Sequence, residues 1–230
     1  MVDARYPKVA GCCTRLKGAP MAGVRKPKII TTGRWGAKPP KAPPIVTGRP
    51  ERIIFHHTAG HHPEVANPAN ESRDEAIRFA RSIQAFHMGP TRNFNDSGHN
   101  FLVCLNGMIL VGRHLSLLAI MTGRMIVSAH CPGENEQPGI EHEHLHEPHM
   151  SPAQLEASAR LHAWIMSRCG IPATEIFGHG RKALPEFPTS CPGELLGDIA
   201  RVKARAKEIL DAEGRNPAST AQGAAFAAKH

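Results

Sequence analysis

Asn106-Gly107 separates two apolar runs in "HNFLVCLNGMILVGR", and no other stretch limits the fold as strongly. Asn-Gly best tolerates the positive φ angles of a two-residue hairpin turn, so the flanking runs are predicted to pair as antiparallel strands. Period and punctuation supply the elements around this hairpin. "RIIFHH" (52–57) is short, β-branched and apolar, and predicts a buried strand. Ala76, Ile77, Ala80, Ile83, Gln84 and His87 recur at helical spacing, with acids early and bases later, which predicts a helix over 71–88. "GIEHEH" predicts a shorter strand near 138–144. Ser151, Pro152 and Gln154 offer an N-cap, a proline at the first helical position and a capping-box partner for a helix that Gly170 ends. A last helix is predicted over 193–212.

The order β, α, ββ, β, α, loop, α predicts an α/β fold, a mixed central sheet flanked by helices in a single domain spanning 29–212. Residues 1–28 form a basic arm rich in Pro, Gly and Lys. Residues 213–230 form a small, polar tail expected to stay unstructured. Trp35, in "IITTGRWGAKPP", is expected to anchor the approach segment to the core.

Composition narrows the partners. Of 230 residues, 41% are hydrophobic, enough for one core, but only 5% are aromatic and Tyr6 is the sole tyrosine. A net charge of +8 and a pI near 9.5 point to an anionic partner: a wall polymer, a nucleic acid or a membrane surface. Nucleic acid is not expected, because so few aromatics make poor stacking platforms. Much of the charge precedes the first strand (Arg5, Lys8, Arg15, Lys17, Arg25, Lys26, Lys28) and reads as a solvated arm. No run approaches the ~20 apolar residues that span a bilayer. The first residues lack an apolar signal-peptide core, so synthesis in the cytoplasm is expected, as a monomer. Cys12, Cys13, Cys104, Cys131, Cys169 and Cys191 form no CxxC pair, so disulfides are not expected. Cys104 and Cys131 are expected to pack as small apolar residues, leaving a cysteine elsewhere free to act as metal ligand or nucleophile.

Candidate chemistry begins with the histidines. Neighbours in a strand point to opposite faces, so His56 and His57 are not expected to serve one site. Taken alone, either reads as readily as a core or rim histidine as it does as a ligand. His61 and His62 read as solvent-exposed loop residues. In "GHGRKALPEFPTSCPG", His179 and Cys191 stand twelve residues apart in a Gly/Pro-rich segment suited to presenting side chains. His56, His179 and Cys191 would make a His2Cys set, which holds zinc with a fourth position open to water. Spacing alone provides no compact ligand motif. In "EHEHLHEPH", Glu141 and Glu143 share one strand face, while His142, His144 and His146 share the other. This run is expected to be a solvated, pH-sensitive rim, and Pro148 denies it the helical HExxH geometry.

"RWGAKPP", "IIFHHTAG", "IQAFHM", "SGHNFLVCLNGMILVGR", "SAHCPGEN", "GIEHE" and "GH…TSCPG" follow in this order over roughly residues 29–211. Together they resemble the zinc-dependent N-acetylmuramoyl-L-alanine amidases of the peptidoglycan-recognition-protein and phage amidase-type lysozyme superfamily. The resemblance implies that family's mixed sheet, a groove for the glycan–peptide junction of peptidoglycan, and hydrolysis of the amide between the lactyl group of muramic acid and L-alanine. It implies zinc on His56, His179 and Cys191, a structural role for His57, and Glu141 as base or acid. It further implies His130 as a substrate contact, with Asn100 helping to orient the muramyl and peptide parts. Two positions depart from the pattern. His99 stands where many relatives carry a tyrosine, and Thr189 stands where the phage lysozymes carry a lysine, as in the catalytic recognition proteins. Histidine can still donate a hydrogen bond or shuttle a proton, and the threonine hydroxyl can bond an oxyanion without adding charge. A phage endolysin is the setting implied. A non-hydrolytic recognition module and a cytosolic recycling amidase are the alternatives, and Cys191 argues against both.

Overall fold

The computed structural model describes residues 23–60, 71–144 and 147–214. Six strands form one sheet in the spatial order β1 (Ile29–Ile30), β5 (Ile109–Val111), β4 (Phe101–Val103), β7 (Gly139–His142), β3 (Ile53–His57), β8 (Ile176–Gly178). Only β4 and β5 pair antiparallel; every other neighbour runs parallel. A separate antiparallel pair joins β2 (Val46–Thr47) to β6 (Met125–Ile126). The α/β class, mixed sheet and flanking helices match the expectation. The strands that sequence reading passed over have two or three residues, too few to show a period.

The central hairpin forms with a longer loop than Asn-Gly predicts. Cys104 N–H bonds Met108 O at 2.9 Å and Gly107 N–H bonds Cys104 O at 3.0 Å, which leaves three residues in the loop. Gly107 adopts a left-handed φ of 79°, and Asn106 does not. Asn106 instead accepts the Met108 N–H on Oδ1 and donates Nδ2–H to Glu71 O. A turn closed by a left-handed glycine is the next most favoured hairpin after the two-residue type.

Helices cover both faces. In α2 (Arg73–Met88), Ser72 and Glu75 form a reciprocal capping box. In α4 (Pro152–Cys169), Ser151 Oγ accepts the Gln154 N–H at 3.0 Å, but the Gln154 side chain does not return to the cap as expected. It is buried, and its Nε2 donates to Val103 O and Glu143 O, tying the helix start to the sheet. A 3-10 turn (Gly193–Gly197) leads into α6 (Asp198–Glu213).

Alternation divides the core in two. Ile53, Phe55, Phe101, Val103 and Ile140 pack beneath α4 and α6, with Leu161, Ile165 and Val202 among their partners. Leu102, Cys104 and Leu110 pack on the opposite side against Ala76, Phe79 and Ala80 of α2 and against Trp35. Trp35 ends the short helix α1 (Thr32–Trp35), and its Nε1–H donates to Val111 O at 2.8 Å, the anchor anticipated for this segment.

Two local features differ from expectation. Val24 is buried and its N–H bonds Ser167 Oγ, so the end of the basic arm joins the domain before residue 29. The His-rich run is not a solvated rim. His142 and His144 are buried, because the strand continues into an isolated bridge between His144 and Gly60. His146 and the pair His61 and His62 lie outside the described residues. Among the described residues, Cys104, Cys131, Cys169 and Cys191 are free thiols, and no helix is long and apolar enough to cross a membrane.

Candidate metal centre

Open α/β sheets carry their sites beyond the C-terminal ends of parallel strands, and here β3, β7 and β8 run parallel with their C-terminal ends on the same side of the sheet. β8 stops at Gly178, paired near Phe55, and His179 starts the one-turn helix α5 (His179–Lys182). The edge of β3 beside His56 and His57 is thus left open by β8. The loop carrying Cys191 occupies it: Gly180 N–H bonds Cys191 O at 2.7 Å, and Cys191 Sγ is 4.0 Å from His57 O.

His56, His179 and Cys191 converge there, with one ligand atom from each within 4.8 Å of the other two. His56 Nδ1 is 3.8 Å from Cys191 Sγ, close to the ~3.6 Å that a tetrahedral zinc would impose on such a pair. Two nitrogens and a sulfur suit zinc and leave one position open. Burial first, and then His130 and His179, hold His56 well below the usual imidazole range. Burial also lowers His179. Both are therefore neutral, the form that binds metal. Burial, and then the charge of Glu141, push the Cys191 thiol up to about 12. It is no free thiolate nucleophile, and only a cation would draw off its proton at neutral pH.

His130 lies against His56, the first of these ligands. Its Nδ1 lies 2.9 Å from His56 Nε2, and its Nε2 lies 3.0 Å from Gln137 O. A carbonyl only accepts, so His130 Nε2 carries the hydrogen, and His56 Nε2–H donates to His130 Nδ1. That network turns the His56 Nδ1 lone pair towards His179 and Cys191. Gly139 makes the arrangement possible, since a Cβ there would lie 2.3 Å from the His130 ring. Burial lowers His130 to about 4 and keeps it neutral.

Glu141 is the register partner of His56 on β7, and its Oε2 lies 2.8 Å from His99 Nδ1. Burial pushes its carboxyl up, but His99, followed by His87 and His57, outweighs burial and holds it below the ordinary value. Glu141 is therefore an ionised carboxylate. His99 is buried, with its ring edge-on to His87 at 5.5 Å. Thr189 is half-buried, and its Oγ1 accepts the Cys191 N–H at 3.1 Å. Asn100 is wholly buried and its amide is used up: Nδ2 donates to Ser116 Oγ and Ile126 O, and Oδ1 accepts the Gly139 N–H. It ties the site's framework together.

His57 departs furthest from expectation. Its Nδ1 is 3.3 Å from Cys191 Sγ, so one sulfur meets both members of the His56–His57 pair. Opposite strand faces do not forbid this when the shared atom lies alongside the strand edge. Sequence reasoning also passed over Gln137, whose backbone orients His130, and His87, seen only as part of a helical stripe. A third group went unseen, a buried cluster of Glu71, Cys104 and Glu143 under the hairpin loop.

The N-acetylmuramoyl-L-alanine amidase family matches residues 46–194. The chain is similar to peptidoglycan-recognition protein LB of Drosophila melanogaster, 29% identical over 177 residues, covering 76% of this chain and 68% of the relative. The crystal structure of Drosophila peptidoglycan-recognition protein LE with tracheal cytotoxin, a monomeric diaminopimelic acid-type peptidoglycan, superposes with a TM-score of 0.60 at 24% identity over 76% of this chain and 92% of that one. The endolysin N-acetylmuramoyl-L-alanine amidase LysCS of Clostridium intestinale superposes with a TM-score of 0.59 at 22% identity, covering 80% and 99%. These two structures share the fold of this chain.

Proposed function

The chain belongs to the N-acetylmuramoyl-L-alanine amidase family, and from that premise we propose that it is a zinc-dependent hydrolase of the lactyl–L-alanine amide of peptidoglycan. One observation carries the reading: two imidazoles and a thiol bring their ligand atoms within 4.8 Å of one another, next to Glu141, the register partner of His56. His56, His179 and Cys191 would hold zinc, which when bound supplies an acidified water and a polarised amide carbonyl.

The chain's own residues do the rest. His99 engages Glu141 at Oε2, leaving Oε1 to take the proton of the attacking water and pass it to the departing alanine nitrogen. His99 thereby keeps the carboxylate ionised and aimed, in place of the family's tyrosine. The Thr189 oxygen accepts from the Cys191 N–H, so its own hydrogen is free to meet charge developing on the amide oxygen. His130 and Gln137 keep His56 in the ligating tautomer. An endolysin role belongs to the proposal, supported by a net charge of +8 suited to anionic wall polymers.

Purified sacculi test the reading. Incubation with the protein is expected to expose new L-alanine amines, to stop with a chelator and to resume with added zinc. Release that ignores the chelator would refute zinc dependence. Binding without release would instead establish a recognition module, the alternative that the substitution at His99 favours.

A further inference from the structure

We propose that His57 is a positioning residue of the metal centre, donating a hydrogen bond from its ring Nδ1 to the sulfur of Cys191. The inference rests on the zinc reading above and adds a residue that reading does not use. A metal-bound thiolate carries no hydrogen, so in the 3.3 Å contact between His57 Nδ1 and Cys191 Sγ the ring must be the donor. The fold provides for this contact. β8 ends opposite Phe55, the Cys191 loop takes up the vacated edge, and the sulfur comes to lie 4.0 Å from His57 O. From that position the sulfur is reached by His56 from one face of β3 and by His57 from the other. The two neighbouring histidines thus divide the work, His56 towards the ion and His57 towards the ion's sulfur ligand.

His57 is not a fourth ligand, because the group able to hold an ion consists of His56, His179 and Cys191, with a position left for water. Its effect is exerted through sulfur. A hydrogen bond to a thiolate draws electron density from it, so less charge is passed to the metal and the ion stays a stronger Lewis acid. The same bond fixes the sulfur's direction from the loop, which otherwise depends on the bonds that the Cys191 backbone makes to Gly180 N–H and Thr189 Oγ1.

Cobalt-substituted protein tests the proposal without relying on turnover. The wild type is expected to show a thiolate-to-cobalt charge-transfer band. His57→Leu is expected to move that band to longer wavelength and to weaken metal retention against a chelator by roughly 10–100-fold. His57→Asn, whose amide N–H lies near the position of ring Nδ1, is expected to stay close to wild type in both measurements. A His57→Leu protein with unchanged band and unchanged retention overturns the inference, as does a His57→Asn band displaced as far as that of His57→Leu. Nitrogen NMR of the zinc-loaded wild type gives a check that needs no variant. The His57 hydrogen is expected on Nδ1, and finding it on Nε2 alone sinks the assignment. A wild type that takes up cobalt without any thiolate band strikes at the metal reading itself, an outcome distinct from failure at His57 alone.

Discussion

Glu141 sits in register with His56, where burial drives its carboxyl towards the protonated form and His99, 2.8 Å away, draws it back. The second influence wins, and the residue is a carboxylate ready to accept a proton. Glu141→Gln keeps the shape and removes the base, so turnover on sacculi is expected to fall by about 10²–10⁴ while metal content stays at the wild-type level. Near-normal turnover would shift the proton transfer to His99. His130 acts one step further out. Because it accepts from His56 Nε2 and is itself held by Gln137 O, His130→Ala is expected to weaken metal affinity roughly 10–100-fold, measured by chelator competition. A rise in KM alone, with affinity intact, would return His130 to the substrate contact that family resemblance implies. The residue types of the centre were legible in the chain; the directions in which Asn100, His130 and His57 point were not. Each side chain turns according to which buried partner satisfies it, and those partners come from other elements.

Among the elements, the β4–β5 hairpin is the one that local sequence foretold most directly, and its loop is also where distant chain intrudes. Asn106 N–H bonds Glu71 Oε2 at 3.0 Å, and Leu105 N–H lies 3.4 Å from Glu143 Oε2. Two carboxyls that meet in a buried place cannot both ionise freely. Burial, and then Glu143, raise Glu71 to about 8. The folded state therefore keeps a proton that the unfolded chain gives up near 4.5, so stability falls as pH climbs from about 4.5 to about 8 and is level above that. Glu71→Gln has no such proton to lose. Its melting temperature is expected to gain on wild type progressively across that window, followed by circular dichroism at pH 4, 6 and 8. Parallel curves for the two proteins would contradict the shared-proton account. The pair escaped sequence reading because Glu71 precedes a helix, Glu143 follows a strand, and no local period links them.

At the scale of the molecule, one sheet separates two cores, and Trp35 closes the smaller of them with its indole N–H on Val111 O. Trp35→Ala removes a buried ring and strands a carbonyl acceptor, so a loss of about 3–5 kcal/mol is expected, read as a lower urea midpoint at an unchanged slope. A loss below ~1 kcal/mol would show that α1 is no anchor. Alternating apolar residues, caps such as Ser72 and Ser151, and the glycine after a helix act over a few positions, so the chain alone determined the hairpin, the three long helices, the α/β class and the supply of His, Cys and Glu donors. What local pattern could not determine was convergence. Cys191 and His56 are 135 positions apart, and they meet because β8 ends short of the tip of β3 and leaves an edge for a loop to fill. The same tertiary packing buried His142 and His144, drew Val24 into the core and made Asn100 part of the framework. Those outcomes depend on where whole elements come to rest, which short-range propensity does not encode.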